Sequence, residues 1–186
     1  FCRQRYLPQR SGQGEIIKYG MINKEMSEAI LDKNANLEEV IDYCAHYKNE
    51  ITKDDFKEKG LRQVLNFGHT LGHAIEKIYQ ISHGECVFWG MYLITRIYGE
   101  KKDLDKLVLL SKKLETNFIN PPWYQKTFPV GEMINYIRKD KKMQTTEKVN
   151  LILATSERGT EIFPEEISVL EEKLNELKDE FRKISI

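Results

Sequence analysis

The segment from Gly84 to Gly99 carries Val87, Phe88, Trp89, Met91, Leu93, Ile94 and Ile97, with Glu85 and Arg96 as its only charged residues. A helix that is apolar nearly all round has to be enclosed by other elements, so this segment predicts a buried central helix. The rest of the chain reads as cover for it. Glu15–Asn23 is a short apolar-rich run of good helix formers, and Glu38–Glu50 places Val40, Ile41, Cys44 and Tyr47 at helical spacing. Leu61–Tyr79 is long and periodic and reads as one helix, while Leu104–Leu114 and Glu132–Lys139 read as amphipathic surface helices. With 186 residues the chain can bury one real core.

Two places interrupt the helical pattern. Asn120-Pro121-Pro122 has to be a loop, because tandem prolines cannot continue a helix. Val149–Ala154 and Glu161–Phe163, joined through Ser156-Glu157-Arg158-Gly159-Thr160, read as a small β-hairpin. A last helix is expected from Pro164, which suits a first helical position ahead of Glu165 and Glu166. Its stripe of Ile167, Leu170, Leu174, Leu177 and Phe181 is short for a coiled coil and predicts a packed C-terminal helix. The fold class expected is mainly α with one small hairpin.

Lys+Arg and Asp+Glu both number 29, so the net charge argues against a broad nucleic-acid or anionic-membrane surface. No apolar run approaches the roughly 20 residues that span a bilayer. Cys2, Cys44 and Cys86 are widely spaced and odd in number, as expected of reduced thiols in a cytoplasmic protein. The chain begins at Phe1 rather than Met, which suggests a fragment of a longer protein.

Three of the four histidines fall between His69 and His83. On Leu61–Tyr79, Arg62, Asn66, His69, His73 and Glu76 recur at steps of four and three, which puts them on one helical face. A merely solvated face would be expected to use Lys and Glu; this set points to a lined pocket. Gly68 and Gly72, each costing about 1 kcal/mol against alanine inside a helix, suggest close approach by another backbone or a ligand. Spacing alone suggests that His69 and His73 chelate one ion, with His83 or a carboxylate such as Glu15, Glu76 or Glu85 as third ligand. It leaves open which pair chelates. Glu15 and Lys18, three apart among Ile16, Ile17 and Met21, read on their own as an ordinary ion pair. The run Arg138-Lys139-Asp140-Lys141-Lys142 reads as a solvated face that could also lend a phosphate-binding lysine.

Four segments together resemble 3-dehydroquinate synthase. They are Leu7-Pro8-x-Arg10-Ser11-Gly12-x-x-Glu15-Ile16-Ile17-Lys18-Tyr19-Gly20; Gly60-Leu61-Arg62-x-x-Leu65-Asn66-Phe67-Gly68-His69-Thr70-x-Gly72-His73-Ala74-Ile75-Glu76; His83-Gly84-Glu85-x-Val87-x-x-Gly90-Met91; and Asp140-Lys141-Lys142. The Asn-Phe-Gly-His-Thr-x-Gly-His block is the most specific. The likeness runs from Phe1 to about Phe163 and is to the family's helical C-terminal domain. Residues 1–186 then form a single metal- and substrate-binding domain, and the family's N-terminal NAD-binding domain, with its glycine-rich loops, is absent.

The resemblance implies conversion of 3-deoxy-D-arabino-heptulosonate 7-phosphate to 3-dehydroquinate and phosphate, with a divalent metal (zinc or cobalt) and, in the full-length enzyme, NAD. It implies Glu15, His69 and His83 as metal ligands, in place of the i,i+4 pair. It assigns catalytic roles to Lys18, Lys48 and His73, and substrate contacts to Arg62, Asn66, His73 and Lys142, with Arg62 on the substrate carboxylate. It also implies a cytoplasmic homodimer acting on a sugar phosphate, and an isolated domain without turnover. The chain departs from the family at Gly14, where alanine is usual, at Cys86, Phe88 and Trp89 after His-Gly-Glu, and in lacking a glycine soon after Lys142. The alternatives are another sugar-phosphate cyclase making an inosose or a valiolone, a non-catalytic metal-binding module, and, more distantly, an iron-dependent alcohol dehydrogenase-like domain.

Overall fold

The computed structural model describes residues 10–54, 61–141 and 147–186. Its elements run α1 (Arg10–Ile22), α2 (Lys24–Leu31), α3 (Leu37–Asp54), a 3-10 helix (Leu61–Asn66), α4 (His69–Tyr79), α5 (His83–Tyr98), α6 (Lys101–Lys113), α7 (Val130–Lys141), β1 (Lys148–Thr155), β2 (Gly159–Glu166) and α8 (Ile167–Phe181). The architecture is mainly α with one antiparallel hairpin, as the sequence pattern predicts.

Helix α5 is the centre. Cys86, Val87, Phe88, Trp89, Met91 and Leu93 are all fully buried, so the bulky pair Phe88–Trp89 is core. Helices α1 and α4 pack on α5, with α6 and β1 covering further parts of it. The α4–α5 contact is a backbone contact. A Cβ at Gly72 would lie 3.1 Å from Cys86 O, and one at Gly90 would lie 2.8 Å from Gly72 N and overlap Gly68 O. The glycine signal in the sequence therefore marks a close helix pair.

Gly68 also corrects the reading of Leu61–Tyr79 as one helix. It adopts φ 79, and it separates the 3-10 helix from α4. At that dihedral an L side chain is strained, and a Cβ would stand 2.7 Å from Val87 O. Apolar periodicity carries no record of such a break, because the pattern resumes in phase on the far side.

Two other expectations need adjustment. Helix α2 is an element the sequence reading missed; Asn23 starts it, its side chain accepting from Met26 N at 2.9 Å. Pro164 does not open the last helix but lies in β2 opposite Asn150. The sheet has two strands, so both are edges, where a residue lacking an N–H is tolerated. Helix α8 then starts at Ile167 and buries Leu170, Leu174 and Phe181 completely, each contributing about 1.5–3 kcal/mol. The Pro121–Pro122 loop is tied to its end, since Trp123 Nε1 donates to Phe181 O at 3.0 Å.

Candidate metal centre

Glu15 lies on α1, His69 is the first residue of α4, and His83 is the first residue of α5. The convergence follows from the packing just described. A Cβ at Gly14 would overlap Gly84 O and stand 2.7 Å from Gly84 Cα, so the bare glycine lets α1 touch the first turn of α5. This is the structural correlate of the departure at Gly14. It sets the Glu15 carboxylate beside His83, while the Gly68–Gly90 contact brings in His69.

Glu15, His69 and His83 each offer one ligand atom, and these atoms lie within 4.8 Å of one another. Glu15 Oε1 is 3.5 Å from His69 Nε2 and 3.7 Å from His83 Nε2. It is buried and has no hydrogen-bond partner. The other oxygen, Oε2, accepts from Lys18 Nζ at 2.6 Å. His69 Nδ1 lies 3.3 Å from Phe67 O, and His83 Nδ1 lies 3.2 Å from Glu76 Oε2. Each ring thus has an acceptor behind Nδ1, which favours the proton there and leaves the Nε2 lone pair aimed at Glu15. Two imidazole nitrogens facing one buried, unpartnered carboxylate oxygen form an arrangement that a cation completes.

A second group, His73, Glu76 and His83, meets the same distance criterion but is more exposed. Neither group contains both His69 and His73, so the i,i+4 pair is not brought together around a carboxylate. Glu85 belongs to neither group among the described residues.

The charges around Glu15 set its ionisation. Burial alone would raise its pKa, but the Lys18 ammonium, its hydrogen bond and the two histidines hold it below the usual value. Burial pushes Lys18 down, against the opposing pull of Glu15, and the nearby Lys48 charge lowers it further. His69 is pushed down to about 4, first by burial and then by Lys18. A neutral His69 keeps its Nε2 lone pair well below pH 7, as metal binding requires.

Between pH 6.5 and 4 the unfolded chain binds a proton at position 69 that the folded chain refuses, so stability rises with pH in that window. Glu15 works in the same direction lower down, its contribution being lost as pH falls through its depressed folded value. The urea midpoint of the metal-free chain is therefore expected to fall steadily from pH 7 to pH 4.5, and less steeply in His69→Asn. A midpoint that stays constant over that range contradicts the assignment of a buried, neutral His69.

The remaining predicted residues distribute as follows. Lys18 is 2 % exposed, and a cation that buried is held by Glu15 rather than displayed to solvent. The exposed His73 ring lies 5.5 Å from His69 and 6.0 Å from His83, at the rim of the cluster. Arg62, half-buried, and Asn66, exposed, lie on the 3-10 helix that leads into His69. Lys48, exposed on α3, is close enough to Lys18 to affect its charge. Lys142 lies outside the described residues. The sequence reading did not anticipate the acceptors behind the rings. Phe67 O carries no side-chain signal, whereas Glu76 is visible on the polar face, where the spacing offers it as a candidate third ligand and not as the acceptor behind His83 Nδ1.

The profile of the family described as 3-dehydroquinate synthase C-terminal matches residues 12–143. The chain belongs to this family. The match covers Glu15, Lys18, Lys48, Arg62, Asn66, His69, His73, His83 and Lys142, while the hairpin and α8 lie beyond it. Among relatives named 3-dehydroquinate synthase, that of Dictyoglomus thermophilum is 35% identical over 177 residues, covering 88% of this chain and 48% of the relative. That of Clostridium perfringens (strain 13 / Type A) is 49% identical over 105 residues, covering 51% and 30%. That of Thermococcus kodakarensis is 35% identical over 137 residues, covering 72% and 38%. The chain thus spans 30% to 48% of the length of these 3-dehydroquinate synthase relatives.

Proposed function

We propose that the chain is the metal- and substrate-binding part of a 3-dehydroquinate synthase, which converts 3-deoxy-D-arabino-heptulosonate 7-phosphate to 3-dehydroquinate and phosphate. The observation that carries the metal half of this reading is the buried, unpartnered Glu15 Oε1 facing His69 Nε2 and His83 Nε2. These three residues would hold zinc or cobalt. When bound, the metal supplies Lewis acidity toward vicinal hydroxyls, and NAD, held by the rest of the enzyme, supplies a hydride acceptor and donor.

This chain's own residues bind and orient. Lys18 fixes Glu15 through Oε2 and so leaves Oε1 directed at the histidines. Burial weakens the hold of Lys18 on its proton, so the residue would be suited to proton exchange with a substrate hydroxyl. Arg62 offers a planar fork to the substrate carboxylate, and Asn66 and His73 offer hydrogen bonds to its hydroxyls. Lys48 supplies a charged contact to the substrate, and Lys142 supplies positive charge for its phosphate. The buried, unpaired Cys44 and Cys86 are in keeping with a reducing, cytoplasmic setting.

Calorimetric titration of the zinc-loaded 186-residue chain with the heptulosonate phosphate tests the reading. Binding is expected, weakened roughly 10- to 100-fold in Arg62→Ala, the cost of a lost charged hydrogen-bond pair. No turnover is expected on adding NAD, because these residues include no glycine-rich nucleotide loop. Equal affinity for a sugar phosphate lacking the carboxylate would favour a related cyclase. No binding, or phosphate release by this chain alone, would contradict the proposal.

A further inference from the structure

Resting on the metal reading above, we infer that Glu76 is a positioning residue for His83: its carboxylate fixes the ring tautomer and so aims Nε2 at Glu15. His83 stands between two carboxylates. Its Nδ1 is 3.2 Å from Glu76 Oε2, within hydrogen-bond range, and its Nε2 is 3.7 Å from Glu15 Oε1, outside it. A neutral imidazole has one proton for two nitrogens, and both carboxylates are acceptors only. The proton therefore belongs on Nδ1, where it donates to Glu76. Nε2 is then left with a lone pair, and so is the unpartnered Glu15 Oε1 in front of it.

Glu76 is also a member of the His73–Glu76–His83 group, so it could be read as a ligand. The two roles exclude each other at one ring. For Nδ1 to bind a cation it would surrender the bond to Glu76, and its proton would move to Nε2, against Glu15. The buried position of Glu15 Oε1, against the exposed His73 and the 38% exposed Glu76 side chain, favours the orienting role. Helix α4 supplies both parts: His69 as a ligand in its first turn, and Glu76 seven residues later on the same face, behind the ring contributed by α5. A carboxylate behind a ligating histidine fixes its tautomer and raises its basicity.

The test measures two quantities on the full 186-residue chain: the zinc dissociation constant by chelator competition, and the His83 tautomer in the metal-free protein from long-range 1H–15N correlations. The wild type is expected to bind one zinc and to hold the proton on Nδ1. Glu76→Ala is expected to keep one zinc, to bind it about 10- to 100-fold more weakly, and to shift His83 toward the Nε2–H form. In Glu76→Gln the amide oxygen still accepts the Nδ1 proton, so the tautomer is retained and the loss is smaller. Wild-type affinity and tautomer in Glu76→Ala would overturn the inference. So would loss of stoichiometric zinc in that variant, which would make Glu76 a ligand. If the wild type bound no zinc, the metal reading would fail, and the tautomer of the metal-free variants would still decide the role of Glu76.

Discussion

Glu15→Ala is expected to destabilise the metal-free chain by about 3–5 kcal/mol, the usual cost of leaving a buried charge without its partner. Lys18 is 2 % exposed, and Glu15 Oε2 at 2.6 Å is its ion-pair partner. With the carboxylate gone, the buried ammonium loses its ion-pair partner and is left 5.2 Å from the centroid of the buried Tyr19 ring. The same substitution removes the atom on which His69 Nε2 and His83 Nε2 converge, so zinc binding should disappear as well. The two losses have different causes and can be separated. Adding Lys18→Met to Glu15→Ala replaces the stranded charge with an apolar chain, and most of the stability should return while zinc binding does not. Urea denaturation with a parallel zinc titration reads both. A double variant as unstable as Glu15→Ala would show that burial of the Lys18 charge is not the origin of the cost.

The second large effect is at Gly90. In Gly90→Ala the added methyl meets Gly68 O and Gly72 N, backbone atoms of the approach to α4 and of α4 itself, which no rotamer change can move aside. Alanine's helix preference returns about 1 kcal/mol, but α4 and α5 must separate, and overpacking of this kind costs about 1–3 kcal/mol and occasionally more. The net is expected to be a loss of about 2 kcal/mol or more in chemical denaturation. Zinc affinity should fall with it, since α4 carries His69 and α5 carries His83. Gly131 provides the contrast. It lies in α7 with nothing within 4 Å of where a Cβ would be. Gly131→Ala should therefore stabilise the chain by about 0.4–1 kcal/mol. Equal effects at the two positions would contradict the account of the α4–α5 contact.

These two sites also show what could be read from the sequence. The apolar run of α5 and the stripe of α8 were legible because burial on all sides, or on one side, leaves a compositional trace. Gly68 and Gly72 announced a close approach, but not that Gly68 breaks the helix, since a positive φ leaves no mark on hydrophobic spacing. Pro164 illustrates the opposite failure: proline suits both the first turn of a helix and an edge strand, and the hairpin register decided for the strand. At the site, the polar face suggests His69 and His73 as a chelating pair but leaves open which pair chelates. The geometry instead joins His69 to His83 and to Glu15 on α1, a convergence made by Gly14 against Gly84 and by Gly68 against Gly90. Contacts between distant segments are not written in local spacing. The resemblance pointed to that trio, but nothing in it announced that Glu76 and Phe67 O would sit behind the two rings.

The central claim is that Glu15, His69 and His83 form one metal site and that His73 stands outside it. Zinc content per chain, measured after loading and exhaustive dialysis of the wild type, His69→Ala, His73→Ala and His83→Ala, tests it most directly. One zinc in the wild type and in His73→Ala, with none in His69→Ala or His83→Ala, is the predicted pattern. Loss of zinc in His73→Ala with retention in His83→Ala would restore the i,i+4 pair and contradict the account.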